Sequence, residues 1–104
     1  MDASQLLRRL GVTPEYHGFD YFLYALEICR SDPEARQLVT KWLYPDIAKR
    51  YGTTWGAVER SLRTAVKAAW RTDPALLREL AGYPLSRRPT PSQFLAILLV
   101  HTAE

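Results

Sequence analysis

This chain has little cysteine or histidine and no glycine-rich motif. Cys29 is the only cysteine among 104 residues, so one chain can form neither a disulfide nor a zinc site with several cysteine ligands. Cys29 falls on the apolar side of a predicted helix, which is typical of a buried, inert thiol. His17, in a predicted loop, and His101, near the C-terminus, lack the spacing and the carboxylate neighbours of metal ligands. With no phosphate-binding or dinucleotide fingerprint among the glycines, we expect no metal, no cofactor and no enzymatic activity.

Long apolar runs are also absent. The most apolar segment, the 12 residues from Pro91 to Thr102, is shorter than the ~20 residues of a membrane-spanning helix. It is apolar around more than one face, which predicts either a buried core helix or a self-association surface. At the N-terminus, Asp2 and the Arg8-Arg9 pair flank only a short amphipathic turn, so no signal peptide is predicted. These features favour a cytoplasmic protein.

No segment shows the alternation typical of β-strands, and the hydrophobic residues recur at helical spacing instead. Four prolines follow a cap or boundary residue, as at the first position of a helix: Asp32-Pro33, Tyr44-Pro45, Asp73-Pro74 and Thr90-Pro91. The pattern predicts one compact all-α domain over residues 1–104 with about six or seven helices. These helices are predicted near residues 3–10, 19–30, 33–42, 45–51, 55–71, 74–81 and 91–102.

The segment 44–71 is typical of a helix-turn-helix. Pro45 suits the first turn of a short helix, and Gly52 can end that helix in the left-handed conformation. Either Thr53 or Thr54 can then cap the next helix. One face of this second helix is apolar and faces the core, with Val58, Leu62, Ala65, Val66 and Ala69. The outer face carries Arg60, Arg63, Thr64, Lys67 and Arg71. In a helix-turn-helix, such a second helix enters the DNA major groove.

Positive charge is concentrated in the same segment. The chain has a formal net charge of +3, but residues 41–71 contain seven lysines and arginines against two acids. The rest of the chain has seven bases and nine acids, so it is slightly acidic. A basic patch on one supersecondary unit indicates a polyanion partner. The competing interpretation is an ordinary solvated face, on which Glu59 and Arg63 form an i, i+4 pair of ~0.3–0.5 kcal/mol.

The aromatic residues allow a different nucleic-acid hypothesis, the stacking of single-stranded bases. We favour core positions for most of them, because Trp70 continues the apolar stripe of the long helix and Trp42 ends the preceding predicted helix. Trp55 is the exception, since it stands at the start of the long helix. It is expected either to meet a phosphate or groove wall or to pack the turn.

Several motifs together resemble a known family. They are the run LYPDIAK at 43–49, the turn Gly52-Thr53-Thr54, VER at 58–60 with Arg63, and Ala69-Trp70. Other parts follow in the same order: Leu10-Gly11-Val12, Gly18 before an aromatic-rich helix, Gly82-Tyr83, and Pro89-Thr90 leading to Ser92 and Phe94. On these residues, essentially the whole chain resembles the C-terminal effector domain of the stage-zero sporulation response regulator of spore-forming bacteria.

The resemblance implies an all-helical domain that binds a short repeated promoter box on double-stranded DNA. It also implies that two copies bind in tandem, as a dimer on DNA, and that the domain contacts the sigma subunit of RNA polymerase. Carried over to this sequence, the matching base-reading positions are Glu59, Arg60 and Arg63. The family's receiver domain has no counterpart in this sequence, which leaves a stand-alone relative or an excised effector domain as alternatives.

The sequence therefore predicts a sequence-specific, DNA-binding bacterial transcription regulator without catalytic residues. Besides the three base-reading residues, the residues expected to bind phosphates are Lys49, Arg50, Thr54, Thr64, Lys67 and Arg71. The sequence departs from the family at three sites, with Gly56 and Ala57 replacing Ser and Arg, and Thr64 replacing His. The 83–94 segment is also shorter. The alternative hypothesis is a protein-interaction module of the same fold, with a sigma factor or regulator as partner, that has lost specific DNA binding.

Overall fold

The computed structural model describes residues 2–32 and 42–102, and in these ranges its regular structure is helical. Its helices are α1 Ala3–Arg9, α2 His17–Ser31, α3 Tyr44–Tyr51, α4 Trp55–Thr72, α5 Pro74–Ala81 and α6 Pro91–His101. The predicted all-α fold is confirmed, and these helices end within two residues of the predicted bounds. One correction concerns His17, which begins α2 and is not in a loop. The helix predicted over 33–42 lies almost wholly outside the described residues.

Side-chain caps explain where most of these helices begin. Asp2 and Gln5 form a reciprocal capping box at α1, and Thr90 and Gln93 form another at α6. The carboxylate of Asp73 accepts a hydrogen bond of 3.0 Å from the backbone N–H of Leu76 at the start of α5. The predictions of helix starts at Asp73-Pro74 and Thr90-Pro91 are thus confirmed, because each cap satisfies a donor that the first turn leaves unpaired.

The long helix α4 lies at the centre and packs against α2, α3, α5 and α6. The apolar stripe predicted for it is buried, as is Ala68 beside that stripe. Helix α2 approaches α4 closely at Gly18, where an added Cβ would lie 2.7 Å from the Cβ of Ala65 and 2.7 Å from the carbonyl oxygen of Ser61. Glycine is therefore required at this crossing by the close approach of the α4 backbone.

Helix α6 completes the core. Its residues Phe94, Leu95, Ile97 and Leu98 are buried, and the ring of Phe94 lies 5.0 Å from that of Phe22 on α2. This confirms the prediction of a buried core helix for most of α6. Val100 differs, with 76% of its surface exposed. None of the described helices is long and apolar enough to cross a membrane.

Three further predictions concern burial, those for Cys29, Trp42 and Trp70. Cys29 is buried in the core, as predicted. Trp42 was expected in the core but is 59% exposed, because the neighbouring Leu43 enters the core in its place. Trp70 is partly buried against the core, and the guanidinium carbon of Arg78 lies 4.7 Å from its ring centroid.

Candidate nucleic-acid interface

The turn between α3 and α4 has the geometry predicted from its residue types. Gly52 follows α3 with φ 64°, and the backbone N–H groups of Gly52 and Thr53 both donate to the carbonyl of Ala48. Thr54 then caps α4, its hydroxyl oxygen accepting from the N–H of Ala57 at 3.1 Å. Of the two candidate caps, Thr54 is thus the one used. Helices α3 and α4 are therefore separated by three residues and pack on each other. This arrangement is a helix-turn-helix.

The outer face of α4 is a positively charged stripe. The residues predicted to face outward are all exposed: Arg60, Arg63, Thr64, Lys67 and Arg71. Steps of three or four residues place them along one side of the helix, opposite the buried stripe. Glu59 is the one acid within α4, against four lysines and arginines. This side can accordingly meet a polyanion along most of its length.

Glu59 and Arg63 form an ion pair across one helical turn, with both carboxylate oxygens accepting from the same guanidinium nitrogen. The pair lies beside Tyr44 of α3. Burial raises the pKa of Tyr44, and the negative charge of Glu59 raises it further while Arg63 lowers it. In the described part of the chain, Arg60 makes no such ion pair. The guanidinium N–H groups of Arg60 are therefore available to donate to DNA, whereas those of Arg63 are partly used by Glu59.

The two threonines predicted to bind phosphates use their hydroxyl groups differently. Thr54 accepts through its oxygen, so its O–H can still donate to a phosphate. The hydroxyl of Thr64 donates to the carbonyl of Arg60 at 2.9 Å. A phosphate oxygen only accepts, so Thr64 has to break this bond before it can donate to one.

On α3, the predicted phosphate ligands Lys49 and Arg50 are exposed in the last turn. The guanidinium carbon of Arg50 lies 5.2 Å from the ring centroid of Tyr24, a residue of α2. Sequence reasoning missed Tyr24, because no local pattern connects it to a residue 26 positions later. The distance in sequence is bridged only by the packing of α2 on α3.

The first turn of α4 combines a large exposed ring with a bare backbone. Trp55 is 51% exposed and its ring centroid lies 6.4 Å from that of Tyr44, the first residue of α3, so it meets the start of α3 and still presents much of its surface. At Gly56 an added Cβ would meet no atom within 4 Å, so packing within the chain does not require glycine there.

The described helices contain a helix-turn-helix, and its second helix has a basic outer face. This architecture is typical of domains that bind the DNA major groove. Comparison with protein families agrees with this class. The family described as "Sporulation initiation factor Spo0A C terminal" matches residues 3–101, nearly the whole chain. The chain belongs to this family. Its members are DNA-binding regulatory domains of sporulation transcription factors, a class distinct from enzymes.

Proposed function

We propose that this protein is a sequence-specific transcription regulator that places α4, Trp55–Thr72, in the major groove of double-stranded DNA. The observation that carries the proposal is the exposed basic stripe of α4 opposite a fully buried apolar stripe. Such a helix is anchored by its core face and so presents its charges in a fixed direction. Residues 1–104 would act as one effector domain in the cytoplasm, without a cofactor.

The proposed roles follow from side-chain chemistry. Arg60 reads guanine, since a guanidinium can donate two hydrogen bonds to the O6 and N7 atoms. Arg63 reads a second base, and Glu59 either accepts a hydrogen bond from a cytosine amino group or orients Arg63 through their ion pair. Phosphates are bound along the rim of the interface by Lys49, Arg50, Thr54, Thr64, Lys67 and Arg71. Thr64 takes this role only after its bond to the Arg60 carbonyl is broken.

The proposal includes two partners in addition to DNA. The family membership supports a second copy bound in tandem on DNA and a contact with the sigma subunit of RNA polymerase. The exposed Val100 on α6 and the half-exposed Tyr83 before it are apolar surface that core packing does not explain. They are the candidate residues for contact with the second copy.

A second candidate function is a protein-interaction module that keeps the fold and lacks specific DNA binding. It is favoured by Gly56 and Ala57, which leave the first turn of α4 without polar side chains. A salt series separates the two functions. Specific DNA binding predicts an affinity that falls steeply with salt, together with a sequence preference. An interaction module predicts neither at physiological ionic strength.

The substitution Arg60→Lys tests base reading directly, because it keeps the charge and removes the planar fork. The preferred box is first selected from a random duplex library. We expect Arg60→Lys to lose ~1–3 kcal/mol of preference for guanine at one base pair while its affinity for unrelated DNA changes little. Arg71→Lys is the matched control on the same helix and is expected to select the parent box.

A variant that behaves like the parent would show that Arg60 does not read bases. If Arg60→Lys selects the same box with the same stringency as the parent, Arg60 is a phosphate contact or a surface charge. If neither parent nor variants prefer any sequence, the interaction module becomes the better description of the protein.

A further inference from the structure

Arg50 is held by an aromatic residue of another helix. It stands in the last turn of α3, and its guanidinium carbon lies 5.2 Å from the ring centroid of Tyr24 on α2. This distance is within the ~6 Å at which a cation is attracted by the face of an aromatic ring. The contact restricts a side chain that would otherwise sample many rotamers.

The same tyrosine also contacts Asp46, an acid on the same helix as Arg50. Asp46 precedes Arg50 by one helical turn, a spacing at which an acid and an arginine commonly pair. Among the described residues, however, Asp46 and Arg50 form no ion pair, whereas Glu59 and Arg63 form one at the same spacing. Instead the hydroxyl of Tyr24 donates to Oδ1 of Asp46 at 3.4 Å. Tyr24 therefore contacts both Asp46 and Arg50, two residues of opposite charge one helical turn apart.

The ring of Tyr24 is itself fixed in place. Tyr51 meets it edge to face with ring centroids 6.0 Å apart, and Tyr51 also lies 5.0 Å from Tyr21. Burial and then the charge of Asp46 raise the pKa of the Tyr24 hydroxyl, which stays a proton donor at neutral pH. The neighbouring ring of Tyr51 thus restrains the ring of Tyr24, while Arg50 remains exposed.

We infer that Tyr24 is a positioning residue for DNA binding: its ring orients Arg50 and its hydroxyl keeps Asp46 from pairing with Arg50, so that the guanidinium is presented to a backbone phosphate. This inference rests on the proposed function. An arginine that is already ordered and not neutralised loses less conformational freedom and gives up no ion pair when it binds.

Two substitutions separate the ring from the hydroxyl. Tyr24→Leu removes the ring, so Arg50 has to be ordered when DNA binds, and binding to all duplexes should weaken about two- to tenfold, the cost of ordering one long side chain. Tyr24→Phe keeps the ring but releases Asp46 to pair with Arg50, and should weaken binding as well. Adding Asp46→Asn to Tyr24→Phe should then restore the affinity. The measurement is fluorescence anisotropy on the selected box and on an unrelated duplex across a salt series.

Arg50→Ala supplies the reference, and it should lower the salt slope by about one unit. In the Arg50→Ala background, Tyr24→Leu should have no further effect on affinity. If it still weakens binding there, or if Tyr24→Phe is not rescued by Asp46→Asn, Tyr24 is only structural and the inference is wrong. Thermal unfolding of each variant accompanies the titrations. A parent that binds no duplex would instead overturn the proposed function, and the positioning role with it.

Discussion

At the scale of single residues, two glycines within helices differ in whether packing requires them to be glycine. Gly18 faces the α4 backbone, where an added Cβ would come within 2.7 Å of Ser61 and Ala65. Gly56 faces open space, so a methyl group there would meet nothing. The sequence pattern does not distinguish a required glycine from a dispensable one. The residues that make Gly18 necessary lie more than 40 positions away along the chain.

We expect alanine substitutions at these two positions to change stability in opposite directions. Gly18→Ala should destabilise by ~1–3 kcal/mol through overpacking. Gly56→Ala should stabilise by ~0.5–1 kcal/mol, because alanine loses less backbone entropy in a helix. Thermal unfolding measured by circular dichroism checks both, with shifts in Tm of ~4–8 °C per kcal/mol for a domain of this size. Equal shifts of the same sign would contradict the packing at the α2–α4 crossing.

At the scale of elements, local signals predicted much of the helix-turn-helix. Pro45, Gly52 and Thr54 act through their own backbone preferences and short-range hydrogen bonds, and the structure uses them as predicted. The buried and exposed faces of α4 follow from the helical period in the same way. The start of α2 was predicted two residues late, because Tyr16 precedes that helix without a side-chain cap to mark it.

The part of the candidate site that could not be predicted depends on contacts between elements. Tyr24 meets Arg50 and Asp46 only because α2 packs on α3. The exposure of Trp42, which differs from the prediction, has a related cause. Helical spacing alone does not decide which of Trp42 and Leu43 enters the core.

The charged stripe of α4 gives a prediction that belongs to the element as a whole. Replacing Lys67 with alanine should weaken binding to every duplex about equally and reduce the salt slope by about one unit, because one phosphate contact is lost. Arg9→Ala is the matched control. Arg9 is exposed on α1, beside a cavity that it lines with Glu79 of α5 and His101 of α6. Lys67→Ala with an unchanged slope but lost sequence discrimination would reassign Lys67 to base reading.

At the scale of the whole molecule, charge is distributed unevenly. Residues outside 41–71 have more acids than bases, while the helix-turn-helix is strongly basic. A polyanion is therefore attracted to one region of the surface, which favours a single docking orientation on DNA. A fixed orientation bears on the proposed tandem binding, because two copies on a direct repeat would then meet through different surfaces of the same domain.

The last prediction follows from this geometry and concerns cooperativity on DNA with two boxes in direct repeat. We expect the second copy to bind more tightly than the first, even if the free protein is monomeric, because the exposed apolar side chain of Val100 would become buried between the copies. Val100→Asp should abolish this cooperativity and leave affinity for a single box unchanged. Ala75→Asp adds the same charge at an exposed alanine of α5 and should keep the cooperativity. Gel-shift titrations at several box spacings measure both quantities, and independent filling of the two boxes by the parent at every spacing would exclude a contact between the copies. Cooperativity that survives Val100→Asp would place that contact elsewhere on the surface, and Tyr83 would be the next residue to replace.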